Sequence, residues 1–187
     1  LDIFHHTHLM DSHAGTHLVP PAYALPGPGF KNKKYSPEVR QWLREYEVRF
    51  GKRGTSRTTA EKVPLAQTSG NARVIDVRPL VGTAEGSQWP ASPVITTAHI
   101  EAYEKKTGKL APGDVVLFRT GHVDTHFKPL PEGKACMENP INGLSEGWPA
   151  PDAKAILHLA KRGIRCVGTD APTLGGVDPK QALFTYW

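Results

Sequence analysis

The sequence predicts an α/β fold, and three observations support this. Stretches rich in β-branched and apolar residues alternate with stretches whose apolar residues recur at helical spacing. A helix predicted over residues 151–162 is followed at once by a strand predicted over 164–168, as in the second half of a crossover unit. The chain has 187 residues, of which 39% are hydrophobic, and this is enough for one domain with its own core.

The N-terminal part predicts one strand, one irregular segment and one helix. Residues 3–10 carry β-branched and aromatic side chains without helical spacing, which indicates a strand. Prolines recur between residues 11 and 28 and exclude one regular element, because each fixes φ and removes a hydrogen-bond donor. Ser36 and Pro37 predict a helix start, and Gly51 predicts its end. The apolar face of this helix comprises Val39, Trp42, Leu43, Tyr46 and Phe50.

The middle of the chain predicts two strands and a short helix. Residues 73–80 are typical of a strand. Thr96 or Thr97 then caps a helix that runs through Lys106 and is closed by Gly108. A turn at 112–114 leads into a buried strand over 115–120.

The C-terminal part predicts a long loop and the end of the crossover unit. Residues 121–147 are interpreted as loop, and a helix starts at Pro151. Its inward side chains are predicted to be Ala153, Ile156, Leu157 and Ala160. Asp170 follows the strand over 164–168, at the sheet edge where α/β folds bind ligands.

The basic residues are concentrated in one stretch of a chain whose formal net charge is +5. A basic patch can bind nucleic acid or an anionic ligand. No RNP, zinc-finger or helix-turn-helix pattern accompanies this one, so we predict a solvated, basic helical insertion over 31–62 and no nucleic-acid partner. The stretch contains Lys31, Lys33, Lys34, Arg40, Arg44, Arg49, Lys52, Arg53, Arg57 and Lys62.

The cysteines and the chain ends bear on location and completeness. Cys136 and Cys166 form no CxxC pair and no disulfide framework, which favours a reducing compartment and a cytoplasmic protein. No run of 18 apolar residues occurs, so no membrane partner is expected. The chain lacks an initiator Met and stops at Trp187 without a polar tail. We therefore expect a single domain over 1–187 that is truncated at both ends.

Histidines are concentrated near the start of the chain, where five of the nine lie within the first 17 residues. His13 and His17 are four residues apart, about 13 Å in an extended strand. Two ligands of one Zn²⁺ need donor nitrogens about 3–3.5 Å apart, so the chain must bend between them. Gly15 permits that bend. The spacing predicts a metal clip in a loop, with ordinary surface histidines as the alternative.

The stretch Asp11–Pro21 (DSHAGTHLVPP) resembles the signature HxGTHxDxPxH of the cyclase family. This family includes bacterial kynurenine formamidases, isatin hydrolases and similar metal-dependent hydrolases. Three later stretches resemble the family in the same order: 63–80 with its VIDV segment, 112–121 (PGDVVLFRTG) and 151–172, which ends in RGIRCVGTDAP. The resemblance covers most of the chain outside the basic insertion.

The resemblance implies a mixed-sheet swivelling β/β/α domain that forms homo-oligomers. It also implies Zn or Mn held by motif His and Asp residues together with a later His and Glu. The first two motif histidines match His13 and His17, whereas the motif Asp falls on Val19 and the final motif His on Tyr23. The later His falls near Tyr186, and the later Glu falls beyond the chain. Candidates for the remaining ligands are His8, Asp11 and His126.

The resemblance also implies a reaction, in which a metal activates water to attack an amide, formyl or lactone carbonyl. Tyr23 stands where the family has a base, but a phenol with an ordinary pKa near 10 is better suited to donate a hydrogen bond to a developing oxyanion. Asp170 is a candidate for positioning or binding, with a turn-forming Asp as the alternative. Trp89, Trp148 and Tyr186 either line a pocket for an aromatic or cyclic substrate or belong to the core.

Four functions remain open at this point. The preferred one is a metal-dependent hydrolase resembling kynurenine formamidase (arylformamidase) that acts on an amide or cyclic amide. The others are a lactone hydrolase on the same scaffold, a metal-free binding protein, and a nucleic-acid binder that uses residues 31–62. The sequence contains no G-x-S-x-G elbow, which disfavours a serine hydrolase. Gly27-Pro28-Gly29 lacks the strand–helix context of a phosphate-binding loop.

Overall fold

The computed structural model describes His13 and residues 15–187, so the strand predicted over 3–10 lies outside the described residues. The strands are β1 (Ala72–Asp76), β2 (Val94–Ile95), β3 (Val115–Arg119), β4 (Ala150–Pro151) and β5 (Cys166–Thr169). The helices are α1 (Pro21–Ala24), α2 (Pro37–Phe50), α3 (Thr97–Thr107), α4 (His122–His126), α5 (Glu138–Ile141), α6 (Ala153–Lys161) and α7 (Pro179–Tyr186). Within this part of the chain, no helix combines the length and apolarity needed to cross a membrane.

A parallel sheet with the strand order β1-β3-β5 forms the centre of the fold. Val74 of β1 is paired with Leu117 of β3, which is paired in turn with Gly168 of β5. A second, two-stranded parallel sheet joins β2 and β4. Because all these strand pairs are parallel, the strands are joined by crossovers that contain helices, as the α/β prediction requires.

The main core lies between the central sheet and helices α3 and α6. Val116 and Phe118 of β3 are 0% and 1% exposed and face the helices, whereas Leu117 between them is 37% exposed. This alternation is the period-two pattern of a strand with one face buried. The remaining members of this core cluster are Ile75, Val77, Ile95, Ile100, Leu110, Ala155 and Leu159.

Helix α2 packs onto helix α7 through an aromatic cluster, so the stretch over 31–62 is attached to the rest of the protein. Tyr46 of α2 makes edge contacts with Phe184 of α7, at 5.5 Å between ring centroids, and with Trp187, at 5.7 Å. Ser36 caps α2 as predicted, since its hydroxyl oxygen accepts a hydrogen bond from the Val39 amide. Whether residues 31–62 are an insertion remains a prediction.

One basic side chain of this stretch is not solvated, contrary to the sequence-based expectation for the patch. Arg53 is only 8% exposed. Its guanidinium group lies against the rings of Tyr35 (5.3 Å) and Trp187 (5.4 Å) and donates hydrogen bonds to the Tyr35 hydroxyl and the Asn32 side chain. Cation–π contacts and hydrogen bonds therefore hold this charge, and no pattern in the sequence separates it from its basic neighbours.

The structure corrects the boundaries of several predicted elements, among them the strand predicted over 164–168, which is observed at Cys166–Thr169. The strand predicted over 73–80 stops at Asp76, and a 3-10 turn at Arg78–Leu80 follows because Pro79 cannot donate to a strand ladder. The loop predicted over 121–147 contains the short helices α4 and α5.

Helix α6 starts at Ala153, after its cap Asp152, whose carboxylate accepts from the Ala155 amide, while Pro151 belongs to β4. Ala160, predicted to point inward, is exposed, and Ala155 is buried in its place. The buried face of α6 is formed by Ala153, Ala155 and Leu159.

Candidate metal and active site

His13 and His17 are brought together by a turn in the exposed loop before α1. Their ring centroids are 5.0 Å apart in an edge-on arrangement. Gly15 between them has φ +70°, a left-handed conformation that disfavours any residue with a side chain. The bend expected from the HxGTH spacing is therefore present.

The His17 ring is oriented by its own loop. Its Nδ1 atom lies 2.9 Å from the Gly15 carbonyl oxygen, so Nδ1–H donates to that oxygen and the lone pair is left on Nε2. Histidines that bind metals commonly donate their other ring N–H to a carbonyl in this way. This arrangement fits a metal ligand, and both imidazoles are exposed and accessible.

Tyr23 lies beside this pair, on helix α1. Its ring centroid is 5.4 Å from that of His13, and the residue is 62% exposed. Pro20 and Pro21 place it there, because they end the loop and begin the helix. The phenol at the family's motif-His position is thus adjacent to a histidine of the candidate metal pair.

Tyr186, at the end of α7, also lies near Tyr23. Burial raises the pKa of the Tyr186 phenol, the neighbouring amides of Gly175 and Leu174 oppose that shift, and the nearby Tyr23 adds to it, with a net rise. Tyr186 therefore stays protonated at neutral pH. Tyr23 stands at the predicted position of the final motif His and Tyr186 near that predicted for the later His, and the fold places the two tyrosines close to each other.

The loop at Gly175 is fitted tightly against α7. A Cβ atom at Gly175 would lie 2.9 Å from the Ala182 Cβ and 3.0 Å from a Tyr186 ring carbon, so a side chain does not fit. The Trp148 indole N–H donates to the Gly175 carbonyl at 3.0 Å, and Trp148 is 2% exposed. Of the three aromatic residues proposed for a pocket, Trp148 is in the core, while Trp89 and Tyr186 are half-buried.

Asp170 joins the carboxyl ends of β5 and β3. Its carboxylate accepts hydrogen bonds from the Thr120 amide (2.6 Å), the Thr120 hydroxyl (2.6 Å) and the Gly121 amide (2.8 Å). Burial raises the pKa of Asp170, but these three donors outweigh it, and the pKa lies below its ordinary value. These contacts give Asp170 a structural role in holding the ends of β3 and β5 together, and its role in positioning or binding a substrate stays a prediction.

Replacing Asp170 by asparagine is expected to lower the free energy of unfolding by about 1–3 kcal/mol. The reason is that the asparagine NH₂ group would face the backbone N–H of Thr120 or Gly121, to which it cannot form a hydrogen bond. The lowered pKa means that the Asp170 carboxylate stabilises the folded protein above its unfolded pKa of about 3.9, and that this contribution is lost as the pH falls further. Urea unfolding at pH 7 and pH 3 measures both effects. Thr120→Val serves as the comparison, because it removes the hydroxyl that donates to Asp170 and accepts from the His122 amide but leaves both backbone donors of the Asp170 carboxylate in place. Equal stability of Asp170→Asn and the wild type at pH 7 would contradict this role.

The other proposed metal ligands do not join the His13–His17 pair among the described residues. His126 contacts the His122 ring instead, at 4.7 Å between centroids, and His8 and Asp11 lie outside the described residues. Across His13 and 15–187, no three His, Cys, Asp or Glu side chains are grouped to hold a metal ion. Both cysteines are free, and burial raises the pKa of each thiol.

Comparison with known proteins identifies the family. The Cyclase family model matches residues 3–175. The chain belongs to the cyclase family. This membership confirms the resemblance found in the HxGTH and PGDVVLFRTG stretches. The matched range also includes the basic stretch over 31–62. No curated protein matches the chain.

Solved structures of isatin hydrolases share the fold of this cyclase-family chain. One, bound to the product analogue thioisatinate, has a TM-score of 0.59 and 18% identity, over 95% of this chain and 55% of that one. Isatin hydrolase A from Ralstonia solanacearum has a TM-score of 0.57 and 21% identity, over 94% of this chain and 54% of its own. These matches confirm the predicted α/β fold of the cyclase type. The chain spans about half the length of either isatin hydrolase.

Proposed function

We propose that this cyclase-family protein is a metal-dependent hydrolase that cleaves the C–N bond of an amide or cyclic amide, in the manner of kynurenine formamidase (arylformamidase). The observation that carries the proposal is the His13–His17 pair, with rings 5.0 Å apart and the His17 tautomer set by the Gly15 carbonyl. Its occurrence in the family signature of a chain with an isatin hydrolase fold supports the same reaction class.

His13 and His17 would hold the metal, with His17 binding through Nε2. Val19 stands where the family motif has a carboxylate. Imidazole ligands suit Zn²⁺, whereas Mn²⁺ prefers carboxylate and other oxygen ligands, so this donor set favours Zn over Mn. When bound, such a metal polarises a carbonyl and lowers the pKa of water towards about 7.

The chain's own residues supply hydrogen-bond donors around that position. The Tyr23 hydroxyl is exposed beside His13 and can donate to a carbonyl oxygen as negative charge develops on it. Tyr186 lies near Tyr23 and is protonated at neutral pH, so its hydroxyl is a second possible donor. We assign to both hydroxyls a role as hydrogen-bond donors that stabilise negative charge, and not a role as bases.

Replacing Tyr23 by phenylalanine is expected to lower kcat by roughly 10²-fold, because one oxyanion donor is lost. The metal content and the fold should not change, since the phenyl ring keeps the packing against His13. Steady-state kinetics together with metal analysis of the full-length protein test this. A reduced metal content in Tyr23→Phe would instead mean that Tyr23 supports the metal ligands.

Hydrolysis assays with the full-length protein test the proposed function. Isatin and N-formylkynurenine represent cyclic and open C–N substrates, and an aromatic lactone represents the alternative reaction. We expect hydrolysis of a C–N substrate that a chelator abolishes and Zn²⁺ restores. Preference for the lactone would favour the lactone hydrolase. The replacement of the motif Asp by Val19 and of the motif His by Tyr23 is the sequence observation that supports this alternative. No bound metal and no hydrolysis would favour a binding protein.

The cysteine content, the charge pattern and the family resemblance also support an expectation about the location, assembly and partners of the protein. We expect a cytoplasmic homo-oligomer that acts on a small aromatic or cyclic substrate, without a nucleic-acid or membrane partner. Size-exclusion chromatography with light scattering measures the assembly state.

A further inference from the structure

A second pair of histidines lies at the carboxyl end of β3, where α/β folds commonly bind ligands. His122 and His126 are the first and last residues of helix α4 and both line a cavity of about 270 Å³. Neither belongs to the family signature at 13–23. Other residues that line this cavity are Thr120, Gly121, Ser145 and Glu146.

The two imidazoles are close enough to share one ion. Residues four apart on a helix project from the same face. Their ring centroids are 4.7 Å apart, with the ring planes inclined at 46°. Donor nitrogens that bind one Zn²⁺ must approach to about 3–3.5 Å, and rings at this separation allow that approach.

The hydrogen bonding leaves a nitrogen lone pair on each of the two rings without a partner among the described residues. The Nε2 atom of His122 lies 2.7 Å from the Cys136 carbonyl oxygen, so Nε2–H donates and the lone pair is on Nδ1. A carbonyl that accepts the second ring N–H is the usual support of a metal-bound histidine. The His126 imidazole makes no hydrogen bond with the described residues, and its ring contact is with His122.

The environment keeps both rings in the form that binds metals. Burial lowers the pKa of His122, and the neighbouring His126 lowers it further against the opposing Cys136 carbonyl. Burial also lowers the pKa of His126, and Lys128 adds to this. Both shifts favour the neutral imidazole, which is the form that binds metal ions.

The carboxylate of Glu146, which lines the same cavity, already accepts hydrogen bonds from backbone amides. The two oxygens of Glu146 accept hydrogen bonds from the Gly82 and Ala84 amides, each at 2.6 Å. The site therefore offers two nitrogen ligands and leaves the other coordination positions open. Such a site binds weakly and exchangeably compared with a closed four-ligand site.

We propose that His122 and His126 form a transition-metal site separate from the His13–His17 pair, with room in its cavity for water or a small ligand to complete the coordination. Imidazole nitrogens select Zn²⁺, Ni²⁺ or Cu²⁺ over the harder Mg²⁺ and Ca²⁺. Cu²⁺ is the most suitable probe, because it binds nitrogen ligands most tightly and its paramagnetic resonance spectrum reports them.

The test uses full-length protein in which His5, His6, His8, His13 and His17 are replaced by alanine, so that N-terminal histidines do not contribute. Cu²⁺ titration followed by paramagnetic resonance is expected to show one ion bound to two imidazole nitrogens. His126→Ala in this background should lower the affinity at least about tenfold and remove one nitrogen coupling. Val123→Ala, an exposed change on the same helix, should alter neither.

Binding that is absent in this background, or unchanged by His126→Ala, would overturn the proposal. If the multiple variant fails to fold, His126→Gln in the wild-type protein is compared with wild type by Cu²⁺ stoichiometry, and a loss of one equivalent is required. The outcome is independent of the proposed hydrolase centre, because the test background lacks His13 and His17.

Discussion

Replacing His17 by alanine is expected to remove the metal bound by the His13–His17 pair and to lower kcat/KM for hydrolysis by roughly 10³-fold or more. His17 presents Nε2 to a metal because its Nδ1–H donates to the Gly15 carbonyl. Among the described residues, no group of three His, Cys, Asp or Glu side chains offers a complete alternative site. Polarisation of the carbonyl by a metal contributes several kcal/mol, and each 1.36 kcal/mol corresponds to about tenfold in rate. Metal analysis and steady-state kinetics on the full-length protein measure both effects.

The matched control is Leu18→Ala, a change at an exposed neighbour in the same loop that should retain metal and activity. His13→Ala is expected to behave as His17→Ala does, because the ring centroids are 5.0 Å apart and both imidazoles are proposed to bind the same metal ion. Full metal content and activity in His17→Ala would remove the basis of the proposed metal centre.

The second large effect concerns stability. Phe118→Ala is expected to lower the free energy of unfolding by about 3–5 kcal/mol, through lost burial and the cavity that remains. Phe118 is 1% exposed on the central strand β3 and belongs to the main core cluster, together with Ile100 of α3 and Leu159 of α6. Since folded proteins are stable by only about 5–15 kcal/mol, the variant should be close to unfolding at 37 °C.

Urea unfolding monitored by circular dichroism measures this loss. Leu65→Ala removes a side chain that is 84% exposed and should change the unfolding free energy by no more than about 0.5 kcal/mol. A loss below about 1 kcal/mol for Phe118→Ala would mean that the sheet and helices α3 and α6 do not form the main core.

Local sequence patterns correctly predicted the helices whose ends are set by capping residues and glycines. Helix α2 begins at the Ser36–Pro37 cap and ends at Gly51, and α3 lies between Thr96 and Gly108, as the caps and glycines predict. Helices α4 and α5 have five and four residues and were predicted as loop. Such short helices are marginal in isolation and form through tertiary contacts, which no local pattern encodes.

The sequence by itself determined the family, the α/β alternation and the pairing of His13 with His17, because a glycine turn over five residues is a local event. Only the tertiary structure decided which side chains far apart in the chain meet. Tyr23 and Tyr186 approach because α7 lies near the His loop, and Arg53 is buried because aromatic rings from two segments cover it.

The same holds for His122, whose partner Cys136 is fixed by the packing of a segment that carries no strong local preference. Contacts of this kind depend on how elements pack and on the charge and burial that result. Their energies are not contained in the periodicity or spacing of residues along the chain.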